Sequence, residues 1–419
     1  MSETIRSLTR VQGFKDSEMD FQLLRQLGSA TYGGASIGES LAVAARMNDE
    51  SAKQWVAEFA QLAIKQEQDA QARLSKGHQV SAKEQLLKAC NSFRAAEYFT
   101  HSQQPEHREF GLKSRGCFLE YLQLAPFYSE VKFVAYNGLQ LPYYFIAPDK
   151  ALQNRKTIII VSGFDGTLEE SFIQSGLAAI ARGYNVVCFA GPGQMDTLRF
   201  NDNSYFEPDF DKPVGALLDA LAQNKLIDSA KVALLGISFG GYFAARASCY
   251  DLRIKALIAN SPISDLKKYV LGFSVQDESE IAADEDFSYA DIPYIPDEVM
   301  PPSLKELTAN LLLRFGNRTM QQTVNYLKEF NIQDQLQQIT CPTLALIGAG
   351  EGGEPLKQFN AFLENVAGII SSYEFSLDDG ADTHCQVTNL NFSNCVIYDW
   401  LDEVFAANTI TIDKKENLA

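Results

Sequence analysis

The sequence predicts an α/β protein in which a mostly parallel sheet, with helices on both faces, follows an all-helical N-terminal domain. Three observations carry this. Residues 18 to about 126 keep apolar side chains at three- and four-residue spacing, with no strand pattern between them. Near residue 128 the period changes to alternation on either side of Asn137-Gly138, the strongest two-residue hairpin signal. Beyond residue 156, continuous apolar runs of strand length take turns with helical segments, which is how a sheet covered on both faces reads.

The helical region shows Leu41, Ala44 and Ala45, then Trp55, Phe59, Leu62 and Ala63, each set on one helix face. "SAKEQLLKACNSFRAAEYFT" continues it, with Ser81 predicted as the cap and Glu84 three residues on. "YSEVKFVAYNGLQLPYYFIAP" is the hairpin. Then "KTIIIVSG", "YNVVCFAGPG", "KVALLG", "IKALIANSP", "PTLALIGAG" and "ISSYEFSL" read as strands. "SFIQSGLAAIARG", "PVGALLDALAQN", "GGYFAARASCY" and the closing "NCVIYDWLDEVF" read as the helices among them. Residues 266 to 338 break this rhythm with an acidic, aromatic stretch and then a helical one, "SLKELTANLLLRF". A piece of that size between two strands reads as a lid. The expected division is a helical cap domain over 1–126, core over 127–265, a lid-like insertion over 266–338, core again over 339–407, and a flexible tail over 408–419.

Composition narrows the function. The chain has 419 residues and a net charge of −17, from 36 basic and 53 acidic side chains. Nucleic acids and anionic membranes need basic patches, so neither is an expected partner. No apolar stretch approaches the roughly 18 residues of a membrane helix, and the polar N-terminus lacks the apolar segment of a secretory signal. The seven cysteines are odd in number and scattered, with no CxxC. They predict reduced thiols and a cytoplasmic setting, and without paired Cys or His spacing no metal is expected.

The chemistry centres on Gly236-Ile237-Ser238-Phe239-Gly240, a G-x-S-x-G between a predicted strand and a predicted helix. That is the setting of a nucleophile elbow, whose sharp turn leaves no room for side chains two residues before and after the serine. A serine hydroxyl needs a base. Of four histidines, His78, His101 and His107 lie in the helical domain, and His384 alone follows the serine, between the last strand and the last helix. The acid should follow the preceding strand, where "CPTLALIGAGEGGEP" supplies Glu351, with Glu354 as the nearest rival. Asp378, Asp379 and Asp382 stand on the histidine's own loop. An oxyanion hole would use the backbone N–H of Phe239 and one from "IIIVSGFDGTLEES", with Phe164 the candidate. Gly348 to Gly353 also fits G-x-G-x-x-G, but too few strands follow it to build a dinucleotide site. "GPGQMD", residues 191–196, reads as a turn at the edge of the site.

Together these segments resemble α/β-hydrolases with an N-terminal helical cap, and within them the branch of the fungal yellowish-green (Ayg1-type) polyketide-shortening hydrolases and 2,6-dihydroxypseudooxynicotine hydrolase. The likeness rests on "GGASIGESL" and "SAKEQLLKACNSFRAAEYF" in the cap, "GFDGTLEE", "GPGQ", "GISFGGYFAARAS" and "IKALIANSP" in the core, and "GADTHCQVTNL" and "YDWLDEVF" near the end. The resemblance implies a Ser–acid–His triad with no metal or organic cofactor. It implies cleavage of carbon–carbon or ester bonds in aromatic ketones and polyketides, a small-molecule partner and a homodimer. Ser238 and His384 match the family pattern, and Glu351 stands where aspartate is frequent. Aromatic residues of the insertion, Phe273 and Tyr289, are expected to line the substrate pocket. Competing readings are an esterase, thioesterase or acyltransferase with the same triad, a peptidase of the prolyl-oligopeptidase type (which would bring a β-propeller in place of helices), and a binding protein on a hydrolase scaffold.

Overall fold

The structure, a computed structural model, describes residues 13–47, 51–274, 287–296, 298–300, 302–316 and 318–416. Five helices come first: α1 (Ser17–Gly28), α2 (Ile37–Arg46), α3 (Ala52–Leu74), α4 (Gln79–Phe99) and α5 (Pro105–Leu124). Asp16 and Ser51 cap α1 and α3 by accepting from the N–H of Met19 and Gln54, at 2.9 and 3.2 Å. Trp55 and Phe59 fill the helical core, and the Trp55 indole N–H donates to the Ala95 carbonyl at 2.8 Å. The predicted cap at Ser81 is not used. α3 closes in a left-handed Gly77 turn, with His78 N–H on the Arg73 carbonyl (2.9 Å) and Gly77 N–H on that of Leu74 (2.9 Å). This turn delivers the chain straight into α4 at Gln79, so Ser81 falls inside its first turn.

Next comes the hairpin of β1 (Tyr128–Tyr136) and β2 (Leu139–Ala147), turning through Asn137 and Gly138, both at positive φ. The remaining strands are β3 (Arg155–Val161), β4 (Asn185–Phe189), β5 (Ile227–Ile237), β6 (Ala256–Asn260), β7 (Thr343–Gly348) and β8 (Ile370–Phe375). They form one sheet in the order β1-β2-β4-β3-β5-β6-β7-β8, antiparallel at β1/β2 and β2/β4 and parallel elsewhere. β3 shows why both faces must be covered. Ile159 and Val161 point into one apolar cluster, Ile158 and Ile160 into the other, and all four are fully buried. Each contributes roughly 1.5–3 kcal/mol by leaving water.

The helices among these strands are α6 (Leu168–Ser171) and α7 (Leu177–Ala181), joined by a π-turn, then α8 (Met195–Leu198), α9 (Asp211–Leu221) and α10 (Gly240–Tyr250). The insertion between β6 and β7 carries α11 (Leu266–Ser274), α12 (Pro302–Arg314) and α13 (Met320–Leu327). α14 (Gly353–Asn365) and the closing α15 (Leu390–Glu416) complete the chain. α15 runs past Ala407, where a flexible tail was expected to begin. Residues 408–416 hold neither glycine nor proline to stop the helix. Among the described residues no helix is long and apolar enough to cross a membrane.

The cap helices grip the loops at the carboxyl end of the sheet. A methyl group on Gly28, at the end of α1, would overlap the Val387 carbonyl beside His384. Gly28→Ala is therefore expected to push α1 off that loop. It should lower stability by about 1–3 kcal/mol and slow labelling of Ser238, as read by thermal unfolding and by the rate of fluorophosphonate capture.

Candidate active site

The turn from β5 into α10 sets Ser238 at φ 60°, a left-handed conformation that a non-glycine residue holds only when its surroundings enforce it. Close packing does the enforcing. A Cβ on Gly236 would strike the Gly240 carbonyl, and one on Gly240 would strike that of Val161. The Ser238 N–H donates to the Asn260 carbonyl at 2.6 Å, and the Ser238 carbonyl accepts from Gly241 at 2.8 Å. The hydroxyl thus stands at the end of the central strand, by the N-terminus of α10, whose free N–H groups and dipole favour negative charge.

The predicted partners converge on it. His384 Nε2 lies 3.0 Å from Ser238 Oγ, and His384 Nδ1 lies 2.6 Å from Glu351 Oε2. Glu351 ends the short turn after β7 and its side chain is fully buried. Its carboxylate also accepts from the Ser261 hydroxyl (3.1 and 3.2 Å), the Tyr269 hydroxyl (3.3 Å) and the Gly348 N–H (3.3 Å). Burial raises this carboxyl's pKa, but the His384 imidazole and these donors more than offset it and hold the group below the usual carboxylate range. Burial lowers the His384 pKa, while the Cys385 sulfur, 3.5 Å from Nε2, and the Glu351 carboxylate together raise it above the ordinary imidazole value. Nothing in the sequence pointed to Ser261, Tyr269 or Cys385 in these places.

Glu354 and Asp379 face elsewhere. Glu354 accepts from Gln358 on α14 at 3.1 Å, and Asp379 holds the Ser376 turn at 2.8 Å. The G-x-G-x-x-G stretch is the Glu351 turn itself, with Gly352 and Gly353 at positive φ. Among the described residues no group of three or more His, Cys, Asp or Glu side chains could hold a metal ion.

The loop after β3 lies directly beside the elbow. A methyl on Gly163 would come within 2.7 Å of both the Phe239 nitrogen and Ser238 Cβ, and the Phe164 and Phe239 rings meet edge to face at 5.5 Å. The two backbone segments named for an oxyanion hole therefore abut. "GPGQMD" braces the first of them. Gln194 Nε2 donates to the Ser162 and Gly163 carbonyls (2.5 and 3.3 Å) while its oxygen accepts from Gly191 (2.7 Å). From the cap, Arg25 makes a bidentate pair with Glu170 (2.6 and 2.5 Å), just past the loop. Gln194→Ala removes two donations that no neighbour replaces. It is expected to slow ester turnover about 10- to 100-fold, the size of a loss of 1–3 kcal/mol, with little change in KM, as steady-state kinetics would show.

A cleft of about 360 Å³ opens on the pair, lined by Ser238, His384, Gly163 and Asp165 and by Phe21 and Arg25 of α1. Of the two aromatic residues expected from the insertion, Tyr289 does not line it. Tyr289 turns its hydroxyl to the His101 imidazole of the cap. Phe273 falls on α11, and its side chain lies outside the described residues.

The strand order, the elbow at the end of β5 and the helices on both faces decide the fold. The chain is an α/β-hydrolase by fold. It matches a solved 2,6-dihydroxy-pseudo-oxynicotine hydrolase with a TM-score of 0.70 at 22% identity, over 91% of this chain and 96% of that one. The solved AbyA5 matches with a TM-score of 0.59 at 13% identity, over 86% and 87% of the two chains. In sequence the chain is similar to fungal hydrolases. It is 31% identical to hydrolyase poxO of Penicillium oxalicum over 61% of this chain and 63% of that protein. It is 32% identical to hydrolase LUC6 of a Fusarium species over 59% and 61%. With α/β hydrolase psoB of Aspergillus fumigatus it shares 31% over 62% and 61%. The matched part thus spans somewhat under two thirds of these curated relatives. Residues 210–301, which include the elbow, also match the signature of the prolyl oligopeptidase family. Among the described residues the N-terminal part is helical, with no propeller.

Proposed function

We propose that this chain is a serine hydrolase that opens a carbon–carbon or ester bond beside a carbonyl of a small aromatic or polyketide-type molecule. One observation carries the reading: the continuous path from Ser238 Oγ through His384 to the buried Glu351, at 3.0 and 2.6 Å. Ser238 Oγ adds to the carbonyl carbon as its proton passes to His384 Nε2. Glu351 fixes the imidazole by Nδ1 and stabilises its cation. The backbone amides of Phe239 and Phe164 receive the oxyanion. The tetrahedral adduct collapses to an acyl-serine, and the departing fragment takes the proton from His384. If the broken bond is C–C, that fragment leaves as an enolate or aryl carbanion equivalent, so a 1,3-dicarbonyl or aryl ketone suits the site. Water, deprotonated by His384, then releases the acid.

The test uses the full chain with an aryl ester and with an aryl 1,3-diketone, products being identified by mass spectrometry. Acid plus ketone from the diketone supports C–C cleavage, and turnover of the ester alone supports the esterase reading. An unreactive serine, with neither substrate consumed and no fluorophosphonate adduct on a folded chain, would overturn the proposal.

A further inference from the structure

A buried cation that the triad does not use lies at the end of α12. Arg314 is 4% exposed. Its guanidinium donates to the Gly193 carbonyl (2.8 Å from Nε) and lies over the Phe164 and Phe206 rings at 4.5 and 4.9 Å. The equally buried Arg25, Arg94 and Arg199 each have a carboxylate within 4 Å. Among the described residues Arg314 has none. A buried, unpaired cation is costly, so a fold that keeps one leaves room for an anion from elsewhere.

That room exists. A second cavity of about 410 Å³ reaches Arg314, with Tyr98 and Phe99 of α4, Phe164, Met195, and Asn310 of α12 around it. The apolar side chains of its lining suit the aromatic part of a small organic ligand. Leu307, Asn310 and Arg314 recur at three- and four-residue spacing, so one face of α12 closes the chamber. Asp165 lines this cavity and the Ser238 cleft alike, so the two share a wall. Asp165 itself is drawn to Arg25 at 3.4 Å. Glu306 lies about two turns up α12 from Arg314, and burial raises its carboxyl pKa. His107, also on the wall, is pushed down to about 3 by burial and by Arg199 and Arg314, so it is uncharged near neutral pH and Arg314 supplies the positive charge.

We infer that Arg314 is a specificity residue that seats an ionised acidic oxygen of the ligand, a carboxylate or the enolate of a 1,3-dicarbonyl, while the aromatic body lies between Tyr98, Phe99 and Phe164. This deepens the hydrolase reading and rests on it for the reaction, though not for the binding. The Gly193 contact adds a link to catalysis, because Gly193 adjoins Gln194, which holds the oxyanion loop.

The experiment is calorimetric titration of the full chain carrying Ser238→Ala. The probes are 3-benzoylpropanoate and its uncharged amide. The expected result is at least tenfold tighter binding of the acid. That preference should be lost on adding Arg314→Met, kept in part with Arg314→Lys, and reduced with Asn310→Asp, which sets a carboxylate one turn from the guanidinium. Equal binding of acid and amide, no binding of either at millimolar concentration, or a preference that survives Arg314→Met would overturn the inference. Should Arg314→Met fail to fold, Asn310→Asp decides: an unchanged preference there counts against Arg314. Binding is read without turnover, so a failed labelling experiment and a failed titration are separate results.

Discussion

Ser238→Ala is expected to remove fluorophosphonate labelling altogether and to lower kcat/KM for an aryl ester about 10⁴- to 10⁶-fold. The size follows from how the site is built. The hydroxyl is the only group removed, and in the proposed reaction it is the one that forms the bond to carbon. What survives is whatever the oxyanion donors and the cleft contribute to water attack, a residual enhancement of about 10³-fold in sites of this type. The alanine variant should fold, because alanine takes less room than serine and the turn is held by backbone bonds to Asn260 and from Gly241. His384→Ala should slow labelling nearly as far, since the two act as one unit and their losses do not add. Intact-protein mass spectrometry decides the matter. An adduct of the same mass on the Ser238→Ala chain would mean that another residue is the nucleophile.

Much of this geometry is local, and what is local was legible. The elbow is five residues long, and its strand and helix adjoin it. Ser238 could be read from that stretch, and His384 from being the only histidine beyond it. Glu351 needed one further step, the rule that the acid follows the preceding strand end. What could not be read comes from distant parts of the chain. Ser261 and Tyr269 reach Glu351 across a gap of more than 80 residues, and Gln194 braces a loop about 30 residues before it. Spacing carries no trace of such contacts, which form only once β6, the insertion and β4 are stacked. Tyr289 went astray for the same reason, since aromatic content cannot say whether a ring turns to the cleft or to His101 of the cap. Arg314 did leave a signal, a lone cation inside the apolar run "LLLRF", where a charge should have been asked for its partner.

Replacing Glu351 separates an acid that orients the base from one that only packs beneath it. Glu351→Gln is expected to lower kcat about 10³- to 10⁴-fold, because the amide can hold Nδ1 in the wrong tautomer and no longer stabilises the imidazolium. It should also move the pH profile, and the sign can be worked out. In the proposed mechanism His384 acts in its neutral form, so kcat/KM should rise with pH through the His384 pKa, which stands above the ordinary value of about 6.5. Removing the carboxylate takes away one of the two groups that raise it, while burial, which lowers it, stays. The inflection must then fall to lower pH, even as the plateau drops. Stability responds at the acid end. Glu351 is held below its ordinary pKa, so its stabilising contribution is present above that value and is lost as pH falls through the folded pKa. The glutamine variant should lack that share of the acid-induced loss. A merely structural acid would cost stability without moving the inflection, and an unchanged inflection would sink the orienting role. Glu351→Asp keeps the charge but must reach Nδ1 from one methylene further back, so it should recover part of the rate and keep the raised inflection. Rescue of rate and pH profile together is the result that a packing role cannot imitate.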